Sequence, residues 1–175
     1  GSILSPSSAN SIVGMKPTIG HVSRSGIVPI SSTLDTAGPM TKFVIDNIIV
    51  YNSLIGFDDK DSYSKITSSI DMEKVFNSSF ENKKLGYYSN YYKNDSIYKS
   101  NVDLLKNNGA QLFELNPKSV QLNNFRKLLD EDMRRDLVSY LEDYGNTRLE
   151  VKDVTSIIKF NSLDSIERSP YGQGI

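Results

Sequence analysis

The chain contains no cysteine and no tryptophan, and it has one histidine among its 175 residues. The lack of cysteine excludes disulfides, thiolate metal sites and a cysteine nucleophile. It is also typical of a reducing cytoplasm, where we expect the protein to be located. A Ser-His-Asp triad would have to use His21, which lies between Gly20 and Val22 in a predicted turn. We therefore interpret His21 as a polar surface residue.

An excess of charge of one sign and long apolar runs are lacking as well. The formal net charge is −1, which gives no reason to expect nucleic acid or an anionic membrane as a partner. No apolar run approaches the roughly 20 residues of a membrane span, and nothing resembles a signal peptide. With 38% hydrophobic and 23% charged residues, the composition is that of an ordinary soluble globular protein.

The first 42 residues are rich in glycine, serine and proline, with short apolar pieces between them. This composition predicts tight turns, and no helix, over the segment. Five short elements follow one another in it: Gly1-Ser2-Ile3, Pro6-Ser7-Ser8, Gly14-Met15-Lys16-Pro17-Thr18, Gly20-His21-Val22-Ser23-Arg24-Ser25-Gly26 and Asp35-Thr36-Ala37-Gly38-Pro39.

The order and spacing of these elements resemble the amidase signature family, which are serine hydrolases that cleave carboxamides. Weaker similarity to the family continues at 56–61, at Phe160-Asn161 and at 170–173. The resemblance implies that Ser2 is the nucleophile and that Gly1 and Ser2 form part of the oxyanion turn. The family's base is a lysine that acts through a second serine on a cis peptide bond. The resemblance implies a small-molecule amide as substrate, and neither a metal nor an organic cofactor.

In family members the lysine and the second serine lie upstream of the nucleophile, so this chain contains neither. We therefore expect a partial amidase domain over 1–175, with the signature segment at 1–42 and helices and a βαβ unit at 43–175. The chain alone is expected to be inactive. Surfaces that truncation leaves exposed favour self-association. Gly1-Ser2 is also a common remnant of cloning, which is the competing interpretation of that dipeptide.

Two alternatives to a stand-alone amidase stay open. The first is the A-type subunit of a glutamine-dependent amidotransferase, which shares the signature. Many such subunits have Asp-Gln-Ile-Gly-Pro where this chain has Asp35-Thr36-Ala37-Gly38-Pro39, a difference that favours an amidase. The second is a non-catalytic truncated or split product. Many family members also have arginine where Leu4 stands, so a polar role of that arginine is lost.

Other candidate residues have simpler interpretations. Lys16 precedes Pro17 in a predicted extended segment, and its position differs from that of the family's catalytic lysine, so we expect a structural role for it. Asp35 precedes a helix entrance and is expected to stabilise a turn or cap. The acidic residues Asp58, Asp59 and Asp61 lack the spacing of a calcium loop, and we expect a solvated turn there.

The predicted fold class is α/β, a partial amidase-signature fold with a mixed sheet flanked by helices. Apolar residues over 39–55 predict a buried helix that begins at Pro39, packs beneath the turns of the signature segment and is ended by Gly56. Residues 84–89 and 111–115 predict strands around a helix that Asp95 or Ser96 caps, and this βαβ unit requires parallel strands. Further helices are predicted at 71–76, 122–144 and 151–163. A run of tyrosines at 87–98 is interpreted as part of an edge strand and loop.

Overall fold

The computed structural model describes residues 2–116 and 122–163, and the α/β class is confirmed. The described elements follow the order α1 (Leu4–Ala9), β1 (Val13–Gly14), β2 (Met40–Thr41), α2 (Val44–Leu54), α3 (Met72–Phe76), β3 (Lys84–Tyr88), α4 (Ser89–Asn94), α5 (Ser96–Asn107), β4 (Gln111–Leu115), α6 (Phe125–Tyr144) and α7 (Val154–Leu163). Described residues before Ile70 and after Leu122 form one compact unit, and those of Ile70–Leu122 form another.

The strands of the described residues lie in two small sheets, whereas we predicted one mixed sheet. In the first unit β1 and β2 are antiparallel, with Val13 opposite Thr41 and Gly14 opposite Met40. In the second unit β3 and β4 are parallel, with Lys84 opposite Gln111. Both strand directions are therefore present, but each occurs in its own sheet.

The prediction that the signature segment has no helix was wrong. Residues Leu4–Ala9 form the six-residue α1. Ser7 is buried there, and its hydroxyl donates to the carbonyl of Ile3 at 2.7 Å. A serine that bonds back to the carbonyl four residues earlier satisfies its own polar group inside a helix. This local bond, which composition does not show, lets a serine-rich stretch be helical.

Between β1 and β2 the chain runs through residues 15–39 without a helix or a strand, apart from a single bridge between Val22 and Ile55. Asn47 of α2 connects the two ends of this irregular stretch. Its Nδ2 donates to the carbonyls of Val13 at 3.0 Å and Pro39 at 3.1 Å, and the residue is 1% exposed. One buried amide thus connects α2 to β1 and to the residue that precedes β2.

Helix α2 differs from its prediction in its start and in its burial. It begins at Val44, because Met40 and Thr41 pair with β1 and Phe43 is extended. It packs against β1 and β2, as predicted for a helix beneath the signature segment. Its apolar residues are nevertheless only partly covered. Ile48 and Tyr51 are buried. Four others are at least two-fifths exposed, namely Val44, Ile45, Ile49 and Leu54.

The predicted βαβ unit is confirmed, with one additional helix. Strands β3 and β4 are parallel, and the carboxylate of Asp95 caps α5 by accepting from the backbone amides of Ile97 and Tyr98. The short α4 lies between β3 and α5, at the predicted tyrosine run. Rings of that run contact one another, as in the pairs Tyr87–Tyr92 and Tyr91–Tyr98. They pack on themselves within the second unit.

The two last helices begin a few residues later than predicted. Helix α6 starts at Phe125 because Asn124 has a left-handed backbone, with φ of 64°. Helix α7 starts at Val154, where the Asp153 carboxylate accepts from the amide of Ser156 at 2.7 Å. The family landmark at 170–173 lies outside the described residues. No helix in the described part of the chain is both long and apolar enough to cross a membrane.

Gly38 is a point of close backbone approach in the signature segment. A Cβ atom there would lie 2.6 Å from Cδ of Pro17 and closer still to the carbonyl oxygen of Met15. Gly20 is similarly constrained, because its φ is +89° and a Cβ would meet the carbonyl of Tyr63. The motif glycines at 20 and 38 therefore serve packing and turn geometry.

We predict that Gly38→Ala lowers the free energy of unfolding by about 1–3 kcal/mol, because the added methyl overpacks a contact between backbone segments. Gly56→Ala is the matched control, since a Cβ at Gly56 would meet nothing within 4 Å. Urea denaturation monitored by circular dichroism measures both variants. Equal stability of Gly38→Ala and the unchanged protein would contradict the close approach.

Candidate active site

Ser2 lies at the edge of an open groove of about 240 Å³ in the first unit. Six aliphatic residues line this groove: Ile3, Leu4, Ile27, Val28, Ile30 and Leu34. The polar residues that complete its lining are Ser2, Lys16, Arg24, Asp35 and Thr36. The signature segment therefore folds back on itself, so that residues 27–36 face the turn that carries Ser2.

The Ser2 side chain is available to a ligand. The residue is exposed and lies in the turn that precedes α1. Within the described residues its hydroxyl has no hydrogen-bond partner, and an unassisted serine hydroxyl is a poor nucleophile. Gly1, the other residue predicted for the oxyanion turn, lies outside the described residues. Among the described residues, an exposed serine thus lies beside a largely aliphatic groove, with no base in contact with its hydroxyl.

Lys16 and His21 do not act on Ser2 in this arrangement. Lys16 lines the groove, and its Nζ donates to the carbonyl of Pro17 at 3.1 Å. This contact is consistent with the predicted structural role of the lysine. The prediction for His21 was wrong: the residue is half-buried, and its Nδ1 lies 2.9 Å from the hydroxyl of the buried Tyr51. His21 therefore joins the signature segment to α2.

Asp35 stabilises the turn that shapes the groove. Its Oδ2 accepts from the backbone amides of Ile30 at 2.7 Å and Ser31 at 2.8 Å, and its own amide donates to the carbonyl of Ser31. The predicted turn role of Asp35 is confirmed, although no helix begins there. The carboxylate fixes the backbone of the residues that present Ile30 and Leu34 to the groove.

The most highly connected charged group at the groove is Arg24, which sequence reasoning did not single out. Its guanidinium forms a two-point ion pair with Asp61, with Nη2–Oδ1 at 2.6 Å and Nε–Oδ2 at 2.9 Å. Nη1 donates to the carbonyl of Ser32, and the guanidinium carbon lies 4.6 Å from the ring centre of Tyr63. Planar two-point pairing of this kind fixes both distance and orientation.

This pair corrects the interpretation of the acidic cluster as a solvated turn. The Asp61 side chain is only 3% exposed, and its hydrogen bonds with Arg24 lower its pKa to about 2. Asp58 accepts from the Ser23 hydroxyl at 2.5 Å, and that bond lowers its pKa as well. Asp59 is exposed, as predicted. The loop 56–64 is therefore attached to the signature segment by two of its three carboxylates.

Helix α6 contacts a different part of the signature segment, the loop 31–33, through the carboxylates of Asp132 and Asp136. The Ser31 hydroxyl donates to Asp132 at 2.6 Å, in a contact that is buried, and this bond and one from Thr33 lower the pKa of Asp132. The Ser32 amide donates to Asp136 at 2.6 Å. These contacts join residues about 100 positions apart, and they fix the loop 31–33 that also receives Arg24.

A second, more polar cavity of about 560 Å³ adjoins the groove. The two share Arg24, Ile27 and Asp35, and the larger one extends along α6 to Tyr140, Asp143 and Tyr144. The hydroxyls of Ser25 and Tyr144 lie 2.8 Å apart at its edge. Among the described residues no group of three or more His, Asp or Glu side chains could hold a metal ion.

Sequence reasoning identified Ser2 and Asp35 but missed Arg24 and the aliphatic wall. The apolar residues Ile27 and Val28 were visible as short interruptions of a polar segment. What the sequence did not show was that they face Ser2. That arrangement depends on the contacts of Arg24 and α6 with residues far away in the chain.

Comparison with known proteins identifies the family. The family model described as Amidase matches residues 1–167. The A subunit of the glutamyl-tRNA(Gln) amidotransferase of Zymomonas mobilis is 35% identical over 121 residues, which are 66% of this chain and 25% of that protein. Its counterpart in Neisseria meningitidis is 36% identical over 128 residues, 70% of this chain and 27% of that protein. This chain spans about a quarter of the length of these curated relatives.

Solved structures of amidases are also similar to this chain. An amidase family protein from Bacillus anthracis is 33% identical, with a TM-score of 0.79 over 99% of this chain and 36% of that chain. The native peptide amidase from Stenotrophomonas maltophilia is 28% identical, with a TM-score of 0.76 over 92% of this chain and 34% of that chain. The fold is thus that of amidase-signature proteins, and the chain belongs to the amidase family.

The ion pair at the groove predicts a pH dependence of stability. The pKa of Asp61 in the folded state, about 2, lies below its ordinary value of 3.8, so the ionised form favours the folded state. This contribution, about 2 kcal/mol, is complete above roughly pH 5 and is lost as the pH falls through 4 towards 2. Asp61→Asn is therefore expected to be less stable than the unchanged protein at pH 7, by a difference that narrows in acid.

Denaturant titrations between pH 3 and pH 7 measure this difference. Asp59→Asn is the control, because it removes an exposed carboxylate from the same loop. A constant difference between Asp61→Asn and the unchanged protein at all pH values would contradict the assigned role of the pair.

Proposed function

We propose that this chain carries the nucleophile of an amidase that hydrolyses carboxamides through a serine ester. The observation that supports the proposal is the exposed Ser2 hydroxyl at the edge of a groove, at the position that the family resemblance implies for the nucleophile. Its surroundings are fixed by polar contacts of Arg24, Asp35 and α6, so the groove is formed without a bound substrate. Preformed geometry of this kind lowers the cost of bringing the two reactants together.

The proposed reaction has two steps. The Ser2 oxygen forms a bond to the amide carbonyl carbon, the C–N bond breaks, and the serine proton leaves with the nitrogen as ammonia or an amine. Water then attacks the ester, which releases a carboxylic acid and restores the hydroxyl. The proton in the first step needs an acceptor. Since the described residues offer Ser2 none, we place the lysine and second serine of the family mechanism elsewhere in the complete enzyme.

We predict that, in the full-length protein, Ser2→Ala abolishes both amide hydrolysis and labelling by a fluorophosphonate probe, because the attacking oxygen is removed. Ser8→Ala, an exposed serine of α1, is the control and is expected to retain both. The 175-residue chain by itself is expected to be as inactive as Ser2→Ala. Peptide mapping identifies the labelled serine, and an adduct on another serine would disprove the assignment.

A second candidate function is that of an A-type subunit of an amidotransferase, because the curated relatives at 35% and 36% identity carry that name. Such a protein would use glutamine as its amide. Free glutamine carries an ammonium and a carboxylate, and a site that uses it must accommodate both charges. Activity of the full-length protein towards glutamine, with and without a partner protein, separates the two functions.

We further propose that the isolated chain self-associates through the exposed apolar residues of α2. Burying these side chains in a contact is favourable by roughly 25 cal/mol per Å² of apolar area. Light scattering is expected to show species larger than a monomer, and Ile49→Lys, at a residue 55% exposed, is expected to reduce them. A strict monomer at all concentrations would contradict the proposal.

A further inference from the structure

Ile3, the residue that follows Ser2, is anchored through its backbone carbonyl. The amide of Ser7 donates to this carbonyl at 3.1 Å, and the hydroxyl of Ser7 donates to the same oxygen at 2.7 Å. Ser7 is only 3% exposed, so water competes little for its hydroxyl. The carbonyl of Ser7 in turn accepts from the amide of Ile12 at 3.0 Å. One buried serine thus links the turn that carries Ser2 to the segment that enters β1.

Two motif glycines confine the same residue. A Cβ atom at Gly14 would collide with the hydroxyl oxygen of Ser7 and would lie 3.3 Å from the carbonyl oxygen of Ile3. A Cβ atom at Gly38 would lie 3.1 Å from Cδ1 of Ile3. Packing this close leaves little room for movement. Ile3 is therefore held at its carbonyl by Ser7 and at its side chain by the backbone of Gly38.

The position of the Ser2 hydroxyl depends on the backbone that carries it. Ser2 is exposed, and its hydroxyl has no hydrogen-bond partner among the described residues. The anchored neighbour of Ser2 in this part of the chain is Ile3. Ser7 itself does not line the groove beside Ser2, so its hydroxyl can act on a reaction there only through Ile3.

We propose that Ser7 is a positioning residue for Ser2: the Ser7 hydroxyl holds the carbonyl of Ile3, and this fixes the turn from which the Ser2 oxygen attacks. The inference rests on the proposed function, in which Ser2 is the nucleophile. A nucleophile reacts only from a narrow range of distances and angles, so the loss of a restraint lowers its rate. The Ile3 carbonyl keeps the Ser7 amide when the hydroxyl is removed, and the expected fall is therefore that of one neutral hydrogen bond, about three- to tenfold.

Saturation labelling of the full-length protein by a fluorophosphonate probe tests the proposal. Ser7→Ala is expected to lower the maximal labelling rate by about three- to tenfold, because the serine oxygen spends less time in the reactive geometry. The probe concentration that gives half the maximal rate is expected to stay within about twofold, because Ser7 does not line the surface beside Ser2. An unchanged maximal rate would overturn the proposal, and so would a change confined to the half-maximal concentration.

Asn10→Ala is the matched control, because Asn10 makes the same kind of bond at the other end of α1. Its Nδ2 donates to the carbonyl of Pro6, four residues earlier, at 2.8 Å, and its amide donates to that carbonyl at 3.0 Å. Asn10→Ala is expected to leave the maximal labelling rate within about twofold. An equal fall in Asn10→Ala and Ser7→Ala would indicate a general loss of helix stability and would rule out the positioning role.

Ser7→Cys replaces Ser7→Ala if the alanine variant does not fold. The thiol fills the space of the hydroxyl but is a weaker donor. Its maximal labelling rate is expected to fall as well, with the half-maximal concentration unchanged. A Ser7→Cys rate equal to that of the unchanged protein would contradict the need for a strong donor at this position.

Ser2→Ala separates this inference from the proposed function. If Ser2→Ala is not labelled and Ser7→Ala is labelled at the normal rate, only the positioning role of Ser7 is wrong. If Ser2→Ala is still labelled at the normal rate, both assignments fail, because Ser7 then has no nucleophile to position. If Ser2→Ala is not labelled and Ser7→Ala is labelled slowly, with Asn10→Ala unaffected, both are supported.

Discussion

The structure of the first unit depends on satisfying the backbone of a long stretch that has no regular secondary structure. Residues 15–39 lie between two short strands, so few of their amides and carbonyls have sheet or helix partners. Buried backbone groups without partners are costly. Turns supply some of the partners, and side chains supply others: Asn47 at both ends of the stretch, Asp35 and Asp136 for amides, and Arg24 for a carbonyl. The groove takes its shape from these bonds.

This dependence explains which parts of the fold could be predicted from the sequence. The parallel βαβ unit follows from local signals, such as the Asp95 cap and the strand-forming stretch at 111–115. The start of α2 could not be read locally, because Met40 leaves the helix in order to pair with Gly14. The same holds for Arg24 and Asp61, which are 37 residues apart. A single sequence gives no sign that these two meet.

In the candidate site, too, local motifs were predictable from the sequence and long-range contacts were not. Ser2 was singled out by its place in a motif, whereas the close backbone approach at Gly38 is a finding of the structure that the composition indicated only as tight turns. The aliphatic wall was not predicted, because its members are spread over Leu4 and the loop 27–34. That loop faces Ser2 only when α6, from a distant part of the chain, holds Ser31 and Ser32. Motifs therefore indicated Ser2 as the candidate nucleophile, and tertiary contacts determine its surroundings.

Binding and chemistry are separable at this site. An aliphatic groove contacts the unreactive part of a substrate equally in the ground state and in the transition state, and such uniform binding lowers KM without raising kcat. Faster bond cleavage requires a group that takes the serine proton and donors that face the developing oxyanion. Around Ser2 the described residues offer aliphatic surface and no proton acceptor. For the proposed reaction, the group that takes the serine proton is therefore assigned to residues other than the described ones around Ser2.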